Sequence, residues 1–577
     1  KVTENEPAVD GRGPPADPRV ATDIFELSDQ FIVQCAALDP MLATFWGVAG
    51  HDDEITDYSP QGWSARLELQ RRTLGDLCKL EPSTRRDRIA IEVMRERVQA
   101  EADLIDSGEY HRWLSIMNSH HEYIREIFDF MPRRTEQDWD AVRVRLAVVP
   151  LALDRLRSSF QYAAGKGQVA ARRQAVACAR QCEVWGGPEG YFAELIAESA
   201  AVAHGVDLSG EATIAADAFL EFAKWLGNDY ASIATAHDPV GAERYRLFAR
   251  YHNGTELDLD ETYQWGWDEL NRIEDRVAAL VELIMPGTTR DECIDRLKCD
   301  PRYVVEGGDN FIAWSQDVID RTIAELDGNY FDIPAPLHRC QAMAAPAGGP
   351  AATYYTPPSE DFSRPGQIWH PVSGKTIFPL WEALSTEYHE SAPGHHLQLA
   401  QMMHQAESLT RFQRLGVAIS GHGEGWALYA ERLMHELGYL DDPVYELGWL
   451  AGQALRAARV VVDIGLHCEM RIPRNEGFHP GETWRTELGL PFLRKRTGYP
   501  PEYLVSEVDR YLGMPGQAIS YKVGERVFLD GRDRARRRLG PKFDLKRFHQ
   551  VVLGMGAMGL DQLACELDVI DLSSDVV

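Results

Sequence analysis

Long apolar runs are missing from this chain of 577 residues. No stretch approaches the roughly 18 consecutive apolar residues that a membrane-crossing helix needs, so no helical span is expected. Positive charge is scarce: 60 Lys and Arg stand against 89 Asp and Glu, a formal net charge of −29. An acidic surface repels a polyanion, and the two basic runs, 171–181 and 532–540, read as solvated helix faces. No nucleic-acid partner is expected. Cysteine is sparse and unpatterned: nine residues, with no CxxC pair, make neither a disulfide framework nor a zinc knuckle. Cys178 and Cys182, four apart, read as small buried residues of one helix. A reducing, cytoplasmic compartment is the expectation; the chain begins at Lys1 rather than Met, so export by way of a removed targeting segment stays open. No fixed-period repeat points to a solenoid, and nothing in the sequence sets an oligomeric state.

What the sequence does have is helical periodicity. Apolar residues recur at spacings of three and four through 86–105, 139–165, 210–237 and 262–285, the pattern of amphipathic helices. The fold class is therefore mainly α. Residues 1–20, rich in Pro, Gly and charge, read as a flexible tail; 21–240 form an N-terminal helical region and 241–577 a second one. Residues 337–372 break the pattern with dense Pro and Gly and short aromatic and β-branched pieces, enough for a small sheet of two or three strands. Helices resume at Pro379, a residue type favoured at helix starts. Asn253-Gly-Thr255 fits a glycosylation sequon and is read as chance.

Chemistry concentrates in TEYHESAPGHHLQLAQ, residues 386–401, which places three histidines and two glutamates around a Pro-Gly pair. A zinc hydrolase needs about three protein ligands, an open coordination position, and a carboxylate that can take a proton from water. In the common helical arrangement the two histidines lie four apart, with a glutamate directly after the first. Here His389 and Glu390 fit, but Pro393 occupies the place of the second histidine. Pro393 must distort the helix, and Gly394 eases the distortion. A bulge absorbing two residues would let His395 act as the partner of His389; His396 is the alternative with a smaller distortion. A helix end carrying solvating histidines is the competing reading.

A third ligand is sought in SGHGEGWALYAERLMHELG, residues 420–438. Gly421 to Gly425 read as a loop entering a helix, after which Glu424, Ala427, Leu428 and Glu431 share one face. Glu424 is the candidate ligand. Glu431, about two turns on, is placed to orient a ligating histidine. Other divalent transition metals remain open besides Zn2+, because ligand type alone does not select among them.

With HESAPGHHLQ and GEGWALYAERL side by side, the chain resembles the bacterial family catalogued as domain of unknown function 885. Its HExxxGHH-type members are similar to the thimet-oligopeptidase and carboxypeptidase Taq gluzincins. Residues 252–273, 364–369, 454–467 and 514–525 extend the resemblance, which runs through about 240–555. It implies a large multi-helical gluzincin-like body, with the N-terminal helices covering a channel and a small β-sheet beside it. It further implies that His389, His395 and Glu424 hold zinc and that Glu390 activates water for hydrolysis of short peptides. Tyr521, in the segment QAISYKVG, would donate a hydrogen bond to the developing oxyanion. Tyr354 and Tyr355 lie in the expected sheet, whose edge could hold an extended peptide. His467 and Arg459 are read as a core histidine and an ion-pair arginine. A metal-dependent esterase or amidase acting on a non-peptide substrate, and a non-catalytic helical binding protein, are the alternatives.

Overall fold

The computed structural model of the chain describes residues 23–202, 204–345, 352–359 and 362–573. The expected tail, 1–20, lies outside them. Among the described residues the fold is mainly α with two small sheets, and those residues cluster into two compact units, one within 1–81 and 101–237 and the other within 82–100 and 238–577. The helix Arg85–Asp106 contributes to both units, so the division falls inside an element that the periodicity marks as continuous.

In the first unit the helix Glu136–Ala164 shows how the pattern becomes packing. Trp139, Val142, Leu146, Val149, Leu153, Leu156 and Phe160 recur at steps of three and four and are all buried. Its start is fixed by a capping box in which Thr135 and Asp138 satisfy each other's backbone N–H groups. This helix packs on Ser209–Lys224, which in turn packs on Arg172–Gly186. Cys178 and Cys182 are buried within that last helix, and none of the nine cysteines is bridged.

The second unit carries the histidine-rich stretch. The unit's helices that matter for this stretch are α1 (Leu259–Ile284), α2 (Gly308–Leu326), α3 (Leu380–Glu390), α4 (His395–His404), α5 (Ser420–Glu436), α6 (Pro443–His467) and α7 (Ser520–Leu539). Its strands are β1 (Val304–Glu306), β2 (Cys340–Ala344), β3 (Tyr354–Thr356), β4 (Gly366–His370) and β5 (Ile377–Pro379). The expected sheet at 337–372 is three-stranded, in the order β2-β4-β3, with β2 parallel and β3 antiparallel to β4. β1 and β5 form a separate antiparallel pair, which leads directly into α3.

Two long-range pairings frame the core: α1 against α6, and α5 against α7. The second depends on glycine. A Cβ on Gly425 would lie 2.4 Å from the Gly524 Cα, and one on Gly524 only 1.9 Å from the Gly421 carbonyl oxygen. The glycines of 421–425 therefore do not form a loop. α5 begins at Ser420, and the run that reads as a loop from local propensity is helix because it must sit backbone-to-backbone on α7. Asn253 is fully buried, its side-chain amide donating to the carbonyls of Ala249 and Gly516 at 2.8 and 3.0 Å, so the sequon is inside the core.

Candidate metal centre

The chain does not bulge at the Pro-Gly pair; it stops and restarts. α3 ends at Glu390, residues 391–394 turn through a cis Ala392–Pro393 bond, and α4 begins at His395. Gly394 is required there, because a Cβ would fall 1.9 Å from the His389 carbonyl oxygen. Trp426 of α5, fully buried, donates its indole N–H to the Pro393 carbonyl at 2.8 Å, fixing the break against the helix that carries Glu424. The break turns His389, at the end of α3, and His395, at the start of α4, toward each other. Their rings stand 4.8 Å apart and nearly perpendicular.

Between them comes Glu424. Its Oε2 lies 3.3 Å from His389 Nε2 and 3.6 Å from His395 Nε2, and the three ligand atoms fall within 4.8 Å of one another. Ligands at about 2.0–2.1 Å around a tetrahedral ion lie roughly 3.3–3.4 Å apart, so the two carboxylate-to-imidazole separations are close to the edges of such a site. The donor set of two imidazoles and a carboxylate suits a divalent transition metal. Glu424 Oε2 and His395 Nδ1 are also buried without a geometrically sound hydrogen bond, a cost that a cation would remove at Glu424. The residues present fit the metal that the family resemblance implies.

Glu431, two turns along α5 from Glu424, accepts the Nδ1–H of His389 at 2.8 Å and the hydroxyl of Ser385 at 2.8 Å. In the neutral ring that bond keeps the proton on Nδ1, which would leave the Nε2 lone pair to a metal ion. Burial opposes charge on His389, yet its contacts with Glu424 and Glu431 outweigh burial and hold the ring's pKa up at about 10. Burial likewise opposes charge on Glu424, and the two histidines hold its carboxylate well below the usual range.

Glu390 follows His389 directly and is buried, and it makes no hydrogen bond to a described residue. Burial raises its pKa, opposed by the charges of His395 and His389. His396 is occupied elsewhere: its Nε2 meets the Leu337 carbonyl at 2.8 Å and its Nδ1 meets the Tyr355 hydroxyl at 2.9 Å. Burial lowers its pKa to about 4, so the ring is neutral, donating from Nε2 and accepting from Tyr355. Of the two histidines left open by the sequence, His395 faces the centre and His396 ties α4 to the sheet.

Tyr355 is thus engaged with His396, while the Tyr354 ring stacks on Trp369 at 6.2 Å. Among the described residues β3 is an edge strand. Tyr521, at the start of α7, lies under the Arg459 guanidinium at 4.6 Å and near that of Arg456 at 6.0 Å. Burial, and next the charge of Glu424, raise its pKa, so its hydroxyl stays protonated. His467 is a fully buried core histidine bonded to the Tyr511 carbonyl at 2.9 Å. Arg459 pairs with Glu507 at 2.7 Å.

Sequence reasoning missed Arg456, whose Nη2 lies 3.7 Å from Glu431 Oε1. The signal was available: two arginines, 456 and 459, interrupt the otherwise apolar run ALRAARVVV in the middle of a core helix. It also missed the support beneath α3, where Ser315 of α2 donates to Glu387 at 2.9 Å and His370 of β4 stands 3.5 Å from the same carboxyl group.

Two solved structures share this architecture. The putative lipoprotein from Colwellia psychrerythraea matches with a TM-score of 0.80 at 22% identity, over 95% of this chain and 99% of that one. A putative lipoprotein of unknown function from Shewanella oneidensis matches with a TM-score of 0.74 at 18% identity, over 94% and 99%. At these identities the likeness shows a common fold. No curated protein matches the chain. The sequence profile of the family described as bacterial protein of unknown function (DUF885) matches residues 40–567, nearly the whole chain, and the protein belongs to that family.

Proposed function

We propose that the protein is a metal-dependent hydrolase that cleaves amide bonds in short peptides. The observation that carries this reading is the convergence of His389 Nε2, His395 Nε2 and Glu424 Oε2 beside a buried glutamate, Glu390, that has no hydrogen-bond partner among the described residues. Zinc, or another divalent transition metal held by these three residues, would supply Lewis acidity toward a carbonyl and make water acidic enough to attack at neutral pH. Glu390 takes the proton from the attacking water and delivers it to the leaving nitrogen, the two tasks of a general base and then a general acid. Glu431 keeps His389 in the tautomer that presents Nε2. Tyr521, protonated, donates to the carbonyl oxygen as it gains charge. The edge of β3, at Tyr354 and Tyr355, offers backbone groups to an extended substrate.

The test is metal analysis of the purified protein, together with hydrolysis of a panel of short peptides and simple esters. Stoichiometric metal, lost in His389→Ala and Glu424→Ala, is expected. Peptide hydrolysis should fall about 10²–10⁴-fold in Glu390→Gln. Full metal content in both ligand variants would sink the assignment; hydrolysis of esters alone would move the reading to an esterase. Absence of metal, with no activity that responds to Glu390→Gln, would leave a helical binding protein. For location, scarce cysteine favours the cytoplasm, and the lipoprotein descriptions of the two structural neighbours favour export; cell fractionation separates them.

A further inference from the structure

Beyond the metal ligands, the most unusual cluster in the second unit is cationic. Arg456, Arg459 and Arg510 gather around Tyr521 and share few carboxylates. Glu507 takes Arg459, at 2.7 Å, and Arg510, at 3.4 Å. Glu431 stands 3.7 Å from Arg456, but both its oxygens already accept hydrogen bonds, from His389 and Ser385. Several donors are left over. The Nε atoms of Arg456 and Arg510 are buried without a partner. Arg459 bonds through Nε and Nη2, while its Nη1 makes no hydrogen bond to a described residue. Buried guanidinium groups lacking full partners cost stability, and a structural role would not need three of them.

Their position gives the surplus a meaning. Arg456 is one carboxylate away from the ligand histidine, through Glu431. Gly452, one turn earlier on α6, leaves the space its guanidinium fills: a Cβ there would lie 2.3 Å from Nη1. The side chains of Arg456, Glu424 and His395 keep 18%, 22% and 15% of their exposure, in a region otherwise buried. Tyr521 has a neighbour in each group: it lies under the Arg459 guanidinium and within electrostatic reach of Glu424.

We propose that Arg456 and Arg459, backed by Arg510, form a subsite for the terminal carboxylate of the substrate, which would make the enzyme a carboxypeptidase. Guanidinium forks match a carboxylate in a bidentate way, and the bond is strongest where water is excluded. An acidic side chain near the scissile bond presents the same chemistry, so the test must separate it from a chain terminus. The proposal rests on reading the metal centre as a peptide hydrolase. Its test is binding rather than turnover, so failure of either reading is seen by itself.

Metal-loaded Glu390→Gln protein is titrated by calorimetry with N-acetyl-Ala-Ala, with its C-terminal amide, and with N-acetyl-Asp-Ala amide. The free acid should bind about tenfold tighter than either amide, the scale of one charge-assisted bond. Adding Arg456→Gln should reduce that preference to within about twofold with metal content unchanged, while Arg456→Lys should retain part of it. Equal binding of acid and amide, or a preference that survives Arg456→Gln, would overturn the subsite. Binding of the aspartyl amide as tight as the free acid would overturn its assignment to the chain terminus.

Discussion

Each unit of the protein places histidines close together, and His389 in the second behaves in the opposite way to the three in the first. In the first unit His111, His120 and His121 lie among aromatic rings: His120 stands 4.8 Å from Tyr58 and 5.0 Å from Trp63, and His121 stands 5.7 Å from Trp185. Their polar partners are neutral, Ser159 for His111 and Ser119 and Gln181 for His121. Burial, unopposed by any carboxylate contact, lowers His111 and His121 to about 4 and holds His120 well below its ordinary value. In the second unit His389 is as deeply buried, yet its contacts with Glu424 and Glu431 hold it up. Carboxylates aimed at the ring nitrogens, rather than histidine density, separate a candidate metal centre from a polar core.

The comparison breaks most sharply on metal content. Glu424→Ala should abolish metal binding, while His121→Gln in the other cluster should leave it stoichiometric; elemental analysis of both proteins checks this. Metal loss in His121→Gln would show that histidine density matters after all. The next effect is smaller, because Glu431 bonds His389 and is not itself one of the three candidate ligands. Glu431→Gln should weaken metal affinity about 10–100-fold, measured by competition with a chromophoric chelator. The variant's amide oxygen can still accept the His389 Nδ1–H and its NH2 can donate to Ser385, so an unchanged affinity would mean that the negative charge of Glu431 contributes nothing to the site.

How far the sequence could be read follows from the same distinction. The helices were legible because their apolar spacing is local, as along 139–160, and the small sheet because Pro and Gly announce it. His389, His395, Glu424 and Glu431 were legible as a set because two short motifs carry them. The choice between His395 and His396 was not, because it is made by Tyr355 and the Leu337 carbonyl, 41 and 59 residues away in the chain. The start of α5 was hidden for a similar reason: its glycines look like a loop until Gly524 is placed against them. A break with restart, rather than a bulge, needs Trp426 to hold the Pro393 carbonyl, a contact no local pattern encodes.

His396 sharpens the contrast inside a single motif, since it sits beside the candidate ligand His395 yet resembles the first unit's histidines. Its Nδ1 and Nε2 are both satisfied by neutral groups, and its pKa is lowered to about 4 by burial. His396→Ala should therefore keep stoichiometric metal while losing about 1–3 kcal/mol of stability, because the Tyr355 hydroxyl and the Leu337 carbonyl lose their partners. Denaturant unfolding with metal analysis on the same sample separates the two outcomes.

The smallest expected effect is a slope. His121 has a pKa of about 4 when folded and an ordinary value of 6.5 when exposed, burial being the cause. Above pH 6.5 both states are neutral at this ring and it makes no pH-dependent contribution. Between pH 6.5 and 4 the unfolded chain binds a proton that the folded chain refuses, so stability falls as pH falls, by up to about 1.4 kcal/mol per pH unit for one such group. Below about pH 4 both states are protonated there and the contribution levels off. His121→Gln removes that proton, so unfolding free energies measured from pH 7 to pH 4.5 should decline less steeply than in the parent by about this amount per unit. An unchanged slope would mean that His121 meets water or a carboxylate in solution, and the first unit's cluster would then lose the isolation from charge that distinguishes it from the second.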